Sequence, residues 1–162
     1  MIFVTVGNDF RSFDRLLKKM DEIAPSLPHD LVVQRGYSKY QPLNGSCFPF
    51  VPMERAIHYM KESRLVVSHS GIGTIMLCKE HGIPLLILPR RKRYEEHMND
   101  HQMEVAAALE ERKDENVHIV YDESQLKERI LEILKGPERY APAVNAGKSN
   151  LIKTLREFIE KI

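Results

Sequence analysis

The stretch LVVSHSGIGT, residues 65–74, runs from a short β-branched segment through two glycines into an apolar segment of helical spacing. Leu65, Val66 and Val67 read as a buried strand. The segment from Ile72 to His81 is predicted as a helix that stops at Gly82, with Pro84 beyond it. A helix that starts directly after a strand leaves its first N–H groups unsatisfied and turns the positive end of its dipole outward, which favours an anion. Glycines there remove the Cβ atoms that would hold a phosphate off the backbone. The spacing is G-x-G, short of the full dinucleotide fingerprint and without the G-K-[ST] of a Walker loop. A tight turn with no ligand therefore stands beside a phosphate site as a reading of these residues.

Working outward, the same alternation of periods recurs. Ile2 to Val6 is a β-branched run that stops at Gly7, and Phe13, Leu16, Leu17, Met20 and Ile23 follow at helical spacing, ended by Pro25 and Pro28. Leu31 to Gln34 is a second strand, and Gly36 to Pro49 a long loop around a weak strand at Cys47 to Phe50. Met53, Ala56, Ile57 and Met60 make a helical stripe, and Leu85 to Leu88 the next strand. A helix is predicted over His97 to Arg112, with Met98, Gln102, Val105, Ala106 and Leu109 as its packed face. A last strand at Val117 to Val120 and a helix from Ser124 to Lys135 complete the pattern. Strands alternating with helices require right-handed crossovers. The fold class is therefore α/β, a doubly wound parallel sheet with helices on both faces. Ligands of such sheets lie beyond the carboxyl ends of the strands. Gly7, Gly36, His69 to Gly73 and Arg90 to Glu96 all fall there.

Length and composition set bounds on this reading. A chain of 162 residues, 43% apolar and 29% charged, is one domain of ordinary globular composition. The net charge of +1 argues against bulk attraction to nucleic acid or an anionic membrane. Cys47 and Cys78 are too few for a disulfide framework and too far apart for a C-x-x-C motif, so free buried thiols are expected. The apolar run at the N-terminus is too short for a signal peptide, and no run approaches the roughly 18 to 20 residues of a membrane helix. A cytoplasmic protein is the expectation. The domain is assigned to residues 1–135 and a linker to 136–148. A final helix over 149–162 carries Leu151, Ile152, Leu155, Phe158, Ile159 and Ile162 on one face, packing on the domain or on a partner.

A second segment with chemistry is PRRKRYEEHMNDHQMEVA, residues 89–106. Its predicted helix leaves His97, Asp100, His101 and Glu104 on the polar side. H-x-x-D-H resembles an inverted zincin motif, but the acid there should be glutamate and no third ligand is spaced downstream. Polar groups at a helix start suit a polar ligand over the sheet edge equally well, and a solvated face is the plain alternative. Arg90, Arg91, Lys92 and Arg93 are suited to a pyrophosphate, a phospholipid headgroup or an acidic partner, or form a solvated loop.

Taken together, MIFVTVG, FDRL, the Q-x-G-x-S-x-Y of Gln34 to Tyr40, HSGIGTIM and the 89–106 string resemble the family 28 glycosyltransferase C-terminal domain across roughly Met1 to Leu109. The branch it resembles holds small stand-alone subunits of two-component UDP-N-acetylglucosamine transferases of lipid-linked oligosaccharide synthesis, and PssE-type exopolysaccharide subunits. The resemblance implies a Rossmann-like domain, the donor-binding C-terminal half of a GT-B fold whose halves are separate polypeptides. It implies an inverting transfer from a UDP-sugar (UDP-GlcNAc, UDP-glucose or UDP-galactose) to a lipid-pyrophosphate-linked glycan, with no metal and no other cofactor. The acceptor site would lie on a membrane-anchored partner that recruits this chain to the cytosolic face of a membrane.

Carried over by position, Ser70, Gly71, Gly73 and Thr74 would meet the donor pyrophosphate, with Arg90 beside it. Glu96, His97 and Asp100 would lie near the sugar, His97 and Asp100 as the catalytic candidates, and His101 and Gln102 complete the motif. Gly7 and Asn8 form the first-strand loop facing the cleft. Relatives carry a glutamate for the ribose where this chain has Leu77, and its nearest acid is Glu80. That departure favours a catalytically silent nucleotide-sugar-binding or assembly module as the alternative function.

Overall fold

The computed structural model describes residues 1–142. Six strands, β1 (Ile2–Thr5), β2 (Leu31–Gln34), β3 (Ser46–Phe48), β4 (Leu65–Ser68), β5 (Leu85–Ile87) and β6 (Val117–Ile119), form one sheet. All its pairings are parallel, in the order β3-β2-β1-β4-β5-β6. This is the doubly wound α/β arrangement expected. The chain winds outward one way from β1 and then the other way from β4, so the loops leaving these two neighbours part and open a crevice at their carboxyl ends.

Alternation along the strands builds two cores. Ile2, Val4, Leu31, Val33, Leu65, Val67 and Leu86 face one side. There they meet Leu16, Leu17 and Met20 of α1 (Asp14–Ile23) and Ile130 and Ile133 of α5 (Leu126–Lys135). Phe3, Val66, Leu85 and Ile87 face the other side. That side is covered by Met60 of α2 (Met53–Glu62), Ile75 and Cys78 of α3 (Ile72–Glu80), and Val105 and Leu109 of α4 (His101–Arg112). Strands buried on both faces explain why they read as continuous apolar runs. Cys78 is buried and Cys47, on the edge strand β3, only half so; both are free thiols, and burial pushes Cys78 up to about 12.

Two expectations change. The helix predicted from His97 begins at His101, and Met98, expected in its packed face, is 66% exposed. Residues 97–100 are instead irregular and bent, because Asn99 Oδ1 accepts the His101 N–H at 3.1 Å and so closes the helix start. The first part of the expected linker is fastened to the body. The Tyr140 N–H donates to Gly82 O (2.8 Å) and Arg64 donates to Gly136 O (2.8 Å). The final helix over 149–162 lies outside the described residues. Among those described, no helix is long and apolar enough to cross a membrane.

Burial also sets an acid limit. Burial, and then Arg129, push His118 on β6 down to about 4 from 6.5. The fold therefore keeps His118 neutral where the unfolded chain would protonate it. That contribution to stability is complete above about pH 7 and is lost as pH falls through 6.5 toward 4. The melting temperature should drop between about pH 7.5 and 5, and a His118→Gln variant should drop less. Parallel curves for the two proteins would show that His118 titrates freely in the fold.

Candidate functional site at the carboxyl edge of the sheet

A cavity of about 360 Å³ opens where β1 and β4 part. The strand ends give Thr5, Gly7, Asn8 and Gln34, and the turn after β4 gives His69 and Gly71. Gly73, Thr74 and Leu77 come from the first two turns of α3. Val51, Ala56, Ile57 and Met60 line an apolar wall on and before α2. Among the described residues, no Lys, Arg, Asp or Glu lines it.

The α3 start leaves its first amides uncapped. Gly71 caps it with extended backbone and no side chain accepts from its first turn, so the amides of Ile72, Gly73 and Thr74 keep their capacity. A Cβ added at Gly73 would meet nothing within 4 Å, so this glycine faces open space. Gly7 and Gly71 have a different role. A Cβ at Gly7 would run into His69 Nε2, and one at Gly71 would lie 2.5 Å from His69 Cε1. The two glycines make room for an imidazole between the loops. Gly7 also has φ +73°, a conformation that strains other residues. Burial, and then the Arg90 charge, push His69 down to about 3, so its ring is neutral at ordinary pH.

Behind this wall, the 89–102 segment is held by a polar core. Arg90 is fully buried and stacks its guanidinium 4.8 Å from the Phe13 ring. Its Nη1 donates to Arg11 O (3.0 Å) and Glu96 O (3.0 Å), and its Nη2 to Val6 O (2.6 Å). Glu96, 3% exposed, accepts from Arg15 Nε (2.8 Å), Arg15 Nη2 (2.9 Å) and the Arg91 N–H (2.9 Å). Asp100 Oδ1 accepts the Lys92 N–H at 3.0 Å. Arg90 and Glu96, expected beside the donor, are therefore spent on fastening loops. Arg91 likewise donates to Tyr121 O, which leaves Lys92 and Arg93 as the exposed part of the basic run.

Of the residues singled out by sequence, Gly7, Asn8, Gly71, Gly73 and Thr74 come together around the cavity. Ser70 is buried behind the turn, its hydroxyl without a partner among the described residues. Glu80 is exposed at the last residue of α3, outside the lining, whereas Leu77 is in it. His97 and His101 do not share a helical face, since His97 precedes α4. His97 Nδ1 contacts Asn99 Oδ1 (3.0 Å) and its Nε2 lies 3.8 Å from Asp9, whereas His101 Nδ1 contacts Glu104 Oε2 (3.0 Å). This removes the geometry of the inverted zincin motif. In the sequence the apolar α2 stripe reads only as a helix face, and His69 falls at the sheet edge without a role of its own. Only the position of His69 directly after a buried strand hinted at its place.

Comparison with known proteins accords with this geometry. The glycosyltransferase family 28 C-terminal domain matches residues 1–161. The chain belongs to that family. The UDP-N-acetylglucosamine transferase subunit ALG13 of Debaryomyces hansenii is 32% identical over 132 residues. The match covers 78% of this chain and 59% of that relative, so the family 28 chain spans less than two thirds of the relative's length. Solved GT-B glycosyltransferases share the fold. The glycotransferase of kitacinnamycin aligns with TM-score 0.60 at 16% identity, covering 84% of this chain and 35% of that one. MurG of Acinetobacter baumannii aligns with TM-score 0.54 at 16% identity, covering 82% and 41%. The Rossmann-like family 28 domain thus corresponds to one half of a two-half architecture.

Proposed function

We propose that the chain is the donor-binding subunit of an inverting glycosyltransferase that takes a UDP-sugar, with UDP-GlcNAc first among the candidates. The observation that carries this is the uncapped α3 start facing a cavity whose opposite wall is apolar. The amides suit a diphosphate and the α2 wall a flat base. The name of the 32% identical relative supports the choice of donor. In the reaction, the acceptor hydroxyl oxygen attacks the anomeric carbon while the bond from that carbon to the β-phosphate oxygen breaks. The charge that develops on the leaving diphosphate is met by the Ile72–Thr74 amides and by His69 Nε2, which bind it more strongly as it grows. The acceptor proton passes to a base on the partner. On this chain His97 stands at the rim beside Asp9, where the sugar would extend, and Asp100 positions the loop that carries it.

A membrane-anchored partner with the acceptor site, and a lipid-pyrophosphate-linked glycan as acceptor, complete the proposal. The loops at the carboxyl edge support a partner, because they expose Phe10 (70%), Tyr37 (57%) and Tyr94 (47%) on the side the second half of a GT-B enzyme would cover. Recruitment to the cytosolic face of a membrane would follow from that contact. Calorimetry with UDP and UDP-GlcNAc, and a transfer assay after co-expression with a membrane subunit, test this. Absence of UDP binding both alone and with the partner would end the reading.

Leu77 favours the silent binding module as the second reading, because among the described residues no carboxylate lines the cavity to take the ribose hydroxyls. Leu77 is half-buried, packing against the core on one side and lining the cavity on the other, so a Glu there must turn its carboxylate to the cavity. Leu77→Glu should tighten UDP binding about tenfold, about 1.4 kcal/mol. Unchanged affinity in a folded variant would place the ribose elsewhere.

A further inference from the structure

The second residue of α4, Gln102, is 7% exposed and has both ends of its amide engaged. Its Oε1 accepts the Arg90 N–H at 3.0 Å. A backbone N–H can only donate, so the oxygen of this amide is fixed on that side and the nitrogen on the other. Gln102 Nε2 then lies 2.9 Å from His69 Nδ1 and must donate to it. That nitrogen has to present a lone pair. In the neutral ring the hydrogen therefore resides on Nε2, the atom that faces Gly7 and the cavity. The same contact opposes an imidazolium, because a proton on Nδ1 would point at an N–H.

We propose that Gln102 is a positioning residue whose amide, locked by the Arg90 N–H, holds His69 as its Nε2–H tautomer and so makes it a fixed neutral donor toward the diphosphate. This rests on the nucleotide reading given above. It assigns Gln102 to orienting the imidazole rather than to contact with the sugar. A neutral donor needs no proton uptake to bind an anion, so the seat is equally ready across the physiological pH range. The charged and titratable groups facing His69 are Arg90 from the loop after β5, Asp9 from the loop after β1, and His97.

The tautomer can be read directly by long-range ¹H–¹⁵N NMR of histidine-labelled full chain, with the His69 signals assigned by their loss in His69→Gln. Wild-type protein should show a pyridine-like Nδ1 and a pyrrole-like Nε2, unchanged between about pH 8 and 5.5. Gln102→Glu puts an acceptor opposite Nδ1 while still receiving the Arg90 N–H. Nδ1 should gain a proton and His69 should begin to titrate in this range. UDP affinity relative to wild type should fall about tenfold at the high end and recover at the low end, where the imidazolium attracts the diphosphate. Taking the ratio to wild type removes the titration of the phosphate itself. A protonated Nδ1 in wild type overturns the proposal, whether or not any variant folds. So does a Gln102→Glu protein whose UDP affinity keeps the wild-type pH profile while only UDP-GlcNAc affinity falls, which would place Gln102 on the sugar. A wild-type protein with the Nε2–H tautomer that binds no UDP, with or without the partner, identifies the nucleotide reading as the failure, and the role proposed for Gln102 falls with it.

Discussion

Replacing Arg90 with methionine should lower the unfolding free energy by about 3–5 kcal/mol. Methionine keeps much of the volume but has no donors. The carbonyls of Val6, Arg11 and Glu96 would then be left without the guanidinium that now satisfies them. Each buried acceptor stranded in this way costs about 1–3 kcal/mol before relaxation. The guanidinium also ties the loop after β1 to the loop after β5, so its loss loosens the Gly7–Asn8 edge of the cavity and the segment packed behind it. Lysine is a poor substitute, because one ammonium cannot reproduce a planar fork that serves several carbonyls. Urea unfolding measures the change. A loss below about 1 kcal/mol would show that water can take over these contacts.

Gly71→Val should weaken UDP binding at least tenfold, about 1.4 kcal/mol. Its Cβ would lie 2.5 Å from His69 Cε1, so the imidazole must leave its seat and break from Gln102. The branched side chain would also stand over the amides of the α3 start. Gly73→Ala is the informative companion, since its Cβ meets nothing within 4 Å in the free protein. It should leave thermal stability nearly unchanged and still reduce UDP affinity, because the space it fills is where the proposed function puts the phosphate. Calorimetry on both variants decides the matter. Full UDP affinity in a folded Gly71→Val protein would move the phosphate site away from this turn.

The sheet was legible because its strands are short, β-branched and buried on both faces, and because the helices between them keep a clear period. Gly7, Asn8 and the Gly71–Thr74 turn were legible for a related reason. A strand that ends in glycine before a helix carries its consequence within a few residues. The 89–102 segment was not legible. Four cations in a row read as either an anion-binding or a solvated run, with Arg90 and Glu96 beside the donor, yet Arg90 finds its partners at Val6 and Arg11, and Glu96 finds Arg15. These contacts join residues some eighty positions apart, and no local pattern announces them. A short side-chain contact, Asn99 Oδ1 to the His101 N–H, likewise keeps residues 97–100 out of the helix their spacing suggested. The long loop before β3 is similar. It is fastened by buried Asp21, which accepts from Tyr40 Oη (2.6 Å) and the Asn44 N–H (2.8 Å).

The cavity wall, with no formally charged side chain among its described lining residues, has a kinetic consequence for a nucleotide diphosphate held there. Backbone dipoles and a neutral imidazole act only at contact, so the approach of the donor gains little long-range steering, and its association rate should respond weakly to ionic strength. Departure is eased for the same reason. On the proposed function, the spent nucleotide, which carries more negative charge than the sugar-bearing donor, would leave without breaking an ion pair to the described lining. A seat built from partial charges would thus hold the spent nucleotide by contact alone, with exchange rates that salt changes little.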